Sequence, residues 1–161
     1  MNSTDVESAV MMKNMGSTSN GASLFNEEMV RSELEEIVGI DHVSTEESDR
    51  LVYSCDWFWL PQMWLDRGER MPVPDYVVHP ASPEEISEVM RIANKYDIPV
   101  VPWGGGSGTQ GGALPLYGGI LMDVKRMNEI IEIDETSLTV TAQAGINGQQ
   151  LEWALNEKGL T

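Results

Sequence analysis

"PDYVVHPASPEEISEVMRIANKYDIPVVPWGGGSGTQGG", residues 74–112, decides the fold. Tyr76, Val77 and Val78 make a short apolar strand that stops at His79-Pro80. Ser82-Pro83-Glu84-Glu85 reads as a helix start, with Ser82 as N-cap, Pro83 at the first helical position and Glu85 closing a capping box. Ile86, Val89, Met90, Ala93 and Tyr96 recur at helical spacing and predict one buried stripe. Pro99 biases its predecessor away from helical geometry, so the helix ends near Asp97. Residues 98–102 form a second apolar strand. The unit is strand–helix–strand, and a glycine-rich loop leaves the end of its second strand.

That loop holds six glycines between Gly104 and Gly112. Glycine so dense is costly to order, because each gives up more backbone freedom on folding than any other residue. A ligand lying against the backbone would make up that cost. Gly106-Ser107-Gly108-Thr109-Gln110-Gly111 is a literal G-x-G-x-x-G, but a dinucleotide loop of the Rossmann type must open a helix. Gly112-Ala113-Leu114-Pro115-Leu116-Tyr117-Gly118-Gly119 cannot continue one. A nucleoside-triphosphate loop ends in Gly-Lys-Ser/Thr, and no lysine or arginine stands between Lys95 and Lys125. A phosphate bound here would rest on converging backbone N–H groups and the hydroxyls of Ser107 and Thr109. The alternative is a glycine-rich connection that carries no ligand.

At 161 residues the chain suits one domain with a core, or one domain plus a tail. A formal charge of −16 disfavours nucleic acid or an anionic membrane surface as main partner. Cys55 is the one cysteine, so no internal disulfide can form. His42 and His79 lie far apart in sequence and suggest no metal site. No apolar run approaches the ~18 residues of a membrane span, and MNSTDVESAV lacks a basic segment followed by an apolar one. These features predict a cytoplasmic protein.

Residues 1–23 are rich in Ser, Asn, Gly and Met without periodicity and read as a disordered tail. Residues 24–73 form a second segment. In it, Leu24, Met29, Leu34 and Ile37 among glutamates predict an acidic amphipathic helix with a solvated glutamate face. Trp57, Phe58, Trp59 and Trp64 crowd together ahead of a Pro-rich run. They read either as a loop packed on the domain's own core or as a surface for another domain. Past the glycine loop, strands are expected at Gly119–Val124, Glu129–Asp134 and Leu138–Ala144, with a turn at Asp134-Glu135-Thr136-Ser137. A last helix starts at Asn147, with Gln150 completing a second capping box, Leu151, Ala154 and Leu155 inward, and Gly159 as its stop.

From Pro74 to Leu160 the chain resembles the FAD-linked oxidases, the vanillyl-alcohol oxidase or PCMH-type flavoproteins. Three blocks carry the likeness: the opening stretch, "GGILMDVKRMNEIIEIDETSLTVTAQAGI" and "NGQQLEWALNEKGL". Tyr53-Ser54-Cys55-Asp56 is similar to the segment ahead of the first strand in the D-lactate and glycolate oxidising branch. "AGINGQQLEWALNEKGLT" is closer to the alkyldihydroxyacetonephosphate synthase branch. The resemblance implies an α+β (α/β) chain with the PCMH-type FAD-binding fold: its first βαβ-containing subdomain and the start of the second. Residues 74–161 would be a partial FAD-binding domain, truncated at its C-terminus.

The resemblance further implies that the loop binds the pyrophosphate of FAD through its main chain. By position the binding residues are Pro102, Trp103, Gly104, Gly105, Gly106, Ser107 and Gly108, with Thr109 and Gly112 close by. Some family members attach the flavin through a histidine in this loop. Ser107 stands at that position, so the FAD is expected to be non-covalent. The Trp103 ring is expected to cover the diphosphate-ribose region. Asp123 and Arg126 match the family's "LD-x-x-x-MN" block and are assigned to core and turn geometry.

In the complete family a substrate C–H, typically that of a 2-hydroxy acid such as D-lactate or glycolate, is oxidised by hydride transfer to flavin N5. The alternatives are an alkyldihydroxyacetonephosphate synthase-like FAD enzyme and a non-catalytic half-domain. The family's second glycine-rich segment and substrate domain are expected to lie beyond Thr161 or on a complementary subunit. No catalytic residue is therefore assigned, and the chain alone is expected to be inactive. Trp57–Trp64 and Leu138–Ala144 are the candidate surfaces for that remainder.

Overall fold

The computed structural model describes residues 21–161, with side chains from Glu27 onward. The chain divides into two compact units, Met1–Val30 and Arg31–Thr161, and the fold's sheets and site lie in the second. Of the expected tail at 1–23, residues 1–20 lie outside the described residues and the last three open a helix.

That helix, α1, runs Gly21–Val38. Leu34 and Val38 are buried, Ile37 is half-buried and Met29 is exposed, which turns the inward stripe slightly from its expected place. The glutamate face is not wholly solvated: Glu33 accepts from Lys95 Nζ at 2.8 Å and from the Tyr96 hydroxyl at 2.6 Å. These bonds hold the Glu33 carboxyl below its ordinary range. A short 3-10 turn at Ile40–His42 leads to strand β1 (Val43–Ser44), and helix α2 spans Glu47–Val52.

The tryptophan-rich segment is a helix rather than a loop: α3 covers Trp59–Asp66. Pro61 is tolerated because it sits in the first turn, where its missing N–H has no intrahelical partner to lose. Neither expected reading of this segment holds throughout. Phe58 and Trp64 are half-buried, while Trp57 and Trp59 are 73% and 63% exposed.

Strand β2 (Tyr76–Val78), helix α4 (Pro83–Tyr96) and strand β3 (Val100–Trp103) form the expected βαβ unit. Ser82 Oγ accepts the Glu85 N–H at 3.2 Å. The returning bond goes one residue further back than in a capping box, with the Ala81 N–H donating to Glu85 Oε2 at 2.7 Å. The helix ends on Asp97 in a left-handed conformation, φ 54°. Its inward stripe holds Val89, Ile92 and Ala93, whereas Met90 is exposed. The expected Val89 and Ala93 are buried and Ile86 and Tyr96 half-buried, while Met90 faces out and Ile92 joins the stripe in its place. At i+3 from Val89, Ile92 shares its face.

Strand β4 (Ile120–Asp123) lies between β2 and β3, parallel to both, and β1 closes the other edge antiparallel to β2. The register pairs Val77 with Leu121 and Val101 with Leu121. Central parallel strands are covered on both faces, so they read as continuous apolar runs. Accordingly Val77, Val78, Ile120 and Leu121 are completely buried. Strands β5 (Ile130–Asp134) and β6 (Thr139–Ala142) form a separate antiparallel hairpin, with a register shift between Ile130 and Glu132. Asp134 Oδ1 accepts from the N–H groups of Thr136 and Ser137 and shapes the connecting turn. Helix α5 (Gly148–Asn156) comes next, and the Asn147 side chain caps it by accepting from the Gln149 N–H. Leu151, Ala154 and Leu155 are half-buried on one face.

Candidate functional site

The parallel strands β2, β3 and β4 end at the same edge of the sheet, where ligands bind in open α/β sheets. The glycine loop leaves β3 there and returns to β4 without any helix. Parallel neighbours need a crossover of a dozen or more residues, and here the loop itself supplies it. Its returning half is anchored. Leu114 and Pro115 are buried, Ala113 packs on the cluster of Tyr53, Val77, Trp103 and Leu121, and the Gly119 N–H donates to Asp75 Oδ2 at 2.6 Å.

The outgoing half makes no such bonds. Among the described residues, no backbone N–H from Gly104 to Ala113 donates within the chain. The first to do so is Leu114, to the Gly111 carbonyl. Gly105, Ser107, Gly108, Thr109 and Gly112 are exposed, as is Pro102, while Gly104 and Gly106 are half-buried. A Cβ built on Gly104, Gly105 or Gly112 meets nothing within 4 Å. These three positions therefore need no glycine for their own packing. Each leaves main chain open to close approach from outside.

Other glycines in the loop face inward. At Gly106, φ is +63° and a Cβ would come within 2.3 Å of the Trp103 ring. At Gly111 a Cβ would reach Phe58 Cδ1 at 3.0 Å, and at Gly108 it would reach Asp56 Oδ2 at 3.6 Å. Trp103, Asp56 and Phe58 thus form a floor under the loop. The sequence reading missed Asp56 and Phe58 in this role. The signal available was the Tyr53–Asp56 segment, which resembles its family counterpart but lies about fifty residues before the loop.

The placement of Trp103 corrects an expectation. Its ring is turned into the core rather than left open on the surface: the residue is 7% exposed, and the indole lies beneath Gly106, edge-on to Tyr53 with ring centroids 5.1 Å apart. The strand alternation that turns Leu121 and Val77 into the core takes the Trp103 side chain the same way.

Beneath the loop lies a polar knot. Asp123, fully buried at the end of β4, accepts from the Tyr53 hydroxyl at 2.7 Å, the Lys125 N–H at 2.9 Å and Lys125 Nζ at 2.8 Å. His79 Nδ1 stands 3.8 Å from the same carboxylate. Burial, then the bond to Asp123, raises the Tyr53 hydroxyl well above its usual range. Burial lowers the His79 imidazole. Arg126 donates to the His79 carbonyl at 2.6 Å, so Asp123 and Arg126 do serve core and turn geometry. The two histidines meet despite their separation: the His79 N–H donates to the His42 carbonyl across the β1–β2 edge. Among the described residues no group of three or more His, Cys, Asp or Glu side chains could hold a metal ion. No described helix is long and apolar enough to cross a membrane.

Residues 74–161 match the FAD binding domain family. The chain belongs to that family. FAD is therefore the cofactor of this fold, and the loop fits it: unused N–H groups and open glycine backbone suit a diphosphate. The chain is 35% identical to the glycolate oxidase subunit GlcD of Bacillus subtilis over 131 residues, covering 81% of this FAD-binding chain and 26% of GlcD. It is 33% identical over 87 residues to a probable mitochondrial D-lactate dehydrogenase of Danio rerio, covering 54% of this chain and 18% of that protein. Among solved structures it is similar to alkyldihydroxyacetonephosphate synthase, with a TM-score of 0.73 and 27% identity over 82% of this chain and 27% of that one. The FAD-binding chain thus covers between 18% and 27% of the length of these relatives.

Proposed function

We propose that Pro102–Gly108, with Thr109 and Gly112, hold the diphosphate of a non-covalent FAD in an oxidoreductase acting on a 2-hydroxy acid such as D-lactate or glycolate. The observation that carries this reading is the row of undonated N–H groups from Gly104 to Ala113 at the C-terminal edge of the parallel strands. Bound FAD supplies the acceptor for a hydride from the substrate C–H. The role of this chain is to bind and orient. The loop N–H groups take the diphosphate, the hydroxyls of Ser107 and Thr109, exposed on the loop, add to them, and Trp103, Asp56 and Phe58 support the loop from below. Trp103 belongs to this set through its main chain and its place in the floor. Ser107 offers no imidazole for a covalent flavin link, which favours non-covalent attachment.

The substrate class rests on the likeness to the glycolate oxidase subunit and the D-lactate dehydrogenase. The likeness in structure to alkyldihydroxyacetonephosphate synthase supports a second reading, that of an FAD enzyme with the synthase's chemistry. In both readings the substrate-contacting residues come from a further FAD and substrate domain, on this polypeptide or on a complementary subunit. The exposed Trp57 and Trp59 and the apolar groove of Leu138, Val140, Leu155 and Leu160 are the faces proposed to receive it. Residues 24–73 are proposed as a lead-in to the FAD-binding part at 74–161. A cytoplasmic setting belongs to the same reading.

The test is purification of the whole gene product. It is expected to be yellow, to release its flavin into the supernatant on acid precipitation, and to bleach anaerobically with D-lactate or glycolate. A colourless protein that takes up no FAD would contradict the binding assignment. A yellow protein left unchanged by both acids would contradict the substrate class alone.

A further inference from the structure

Asp56 is 3% exposed, and its two carboxylate oxygens are used very unequally. Oδ1 accepts the Phe58 N–H at 2.9 Å and closes an Asx turn. Oδ2 is buried and has no hydrogen-bond partner, alone among the buried side-chain polar atoms of the described residues. A carboxylate can only accept, and a buried acceptor without a donor carries its full desolvation cost. Such an atom calls for a specific explanation. The donors it lacks stand beside it. Oδ2 lies 3.6 Å from where a Cβ on Gly108 would sit, and the N–H groups on either side of Gly108 have no acceptor among the described residues.

We propose that Asp56 is the positioning residue of the cradle. In the loaded site Oδ2 accepts a main-chain N–H of the loop at or beside Gly108, pinning the loop's underside so that the remaining N–H groups face the diphosphate. This rests on the FAD-binding reading above. The assignment predicts the opposite sign from a purely electrostatic role. A carboxylate beneath a diphosphate repels it, so charge alone makes removal of Asp56 tighten binding. A latch makes removal weaken it.

Asp56→Asn in the whole gene product separates the two. The amide keeps its oxygen on the Phe58 N–H and turns its NH2 toward the loop, where donor then faces donor. FAD affinity is expected to fall about tenfold or more, the scale of one buried hydrogen bond to a charged group. The melting temperature of the flavin-free protein stays level or rises, because a buried carboxylate with one oxygen unpartnered gives way to a neutral amide. Phe58→Leu, which trims the floor under Gly111 and leaves Asp56 intact, checks the specificity of the effect by weakening FAD less than Asp56→Asn does. FAD binding by Asp56→Asn equal to or tighter than wild type overturns the proposal, and so does weaker binding accompanied by a clear loss of flavin-free stability. Wild-type protein that fails to bind FAD overturns the FAD-binding reading itself and this inference with it, so the two failures are told apart by the wild-type control.

Discussion

Gly105→Val in the whole gene product abolishes FAD retention while leaving the protein folded. A Cβ at Gly105 meets open space, so the valine needs no rearrangement of the free protein. The position is exposed and sits outside the left-handed region, so stability should change by no more than about 0.5 kcal/mol. Bound diphosphate is different. N–H···O contacts of about 2.9 Å leave no room for two methyl groups between loop and phosphate. Loss of two charge-assisted hydrogen bonds, at roughly 1.5–3 kcal/mol each, weakens binding about a hundredfold or more. Flavin absorbance after gel filtration and the melting temperature together check this outcome. Normal flavin content in the variant would remove the main-chain cradle from consideration.

Asp123→Ala produces the largest loss of stability. The carboxylate is fully buried and receives the Tyr53 hydroxyl and the Lys125 main chain, with Lys125 Nζ also upon it. Its removal leaves the Tyr53 hydroxyl buried without an acceptor and opens a space between β4 and the segment after α2. Breaking a buried charge pair by taking one partner costs about 3–5 kcal/mol. The lower end applies here, because Lys125 is half-exposed and its contribution is screened by solvent. Urea unfolding should show a fall of about 3 kcal/mol, read as a lower midpoint at unchanged slope. Tyr53→Phe should cost less, since the buried carboxylate keeps both Lys125 donors. Equal stability of Asp123→Ala and wild type would mean that the knot does not support the strand ends.

The sequence reveals those parts of this fold that depend on local rules. The period of Ile86, Val89, Ala93 and Tyr96, the Ser82 cap and the proline at position 99 mark α4 within a residue or two, because each acts over one or two helical turns. The glycine pattern, read together with Pro115, Gly118 and Gly119, rules out a helix after the loop, and none forms. The features that escape the sequence are set by distant partners. The insertion of β4 between β2 and β3 is a matter of strand order, which no window of residues encodes. The Tyr53–Asp123 bond joins residues 70 positions apart. Trp103 reads equally well as a ligand cover or a core residue until Tyr53 and Gly106 are seen on either side of it. The same holds within the loop itself. All six glycines look alike as letters, yet Gly104, Gly105 and Gly112 face open space, while Gly106 and Gly111 accommodate aromatic rings.

Amide hydrogen exchange of the loop is the most direct test of the cradle. Peptides covering Gly104 to Ala113 should exchange quickly in the flavin-free protein, since their N–H groups have no acceptor among the described residues. On FAD binding those same amides should be strongly protected, with little change across β5 and β6. FAD binding that leaves residues 104–113 exchanging at the free rate would contradict main-chain capture of the diphosphate.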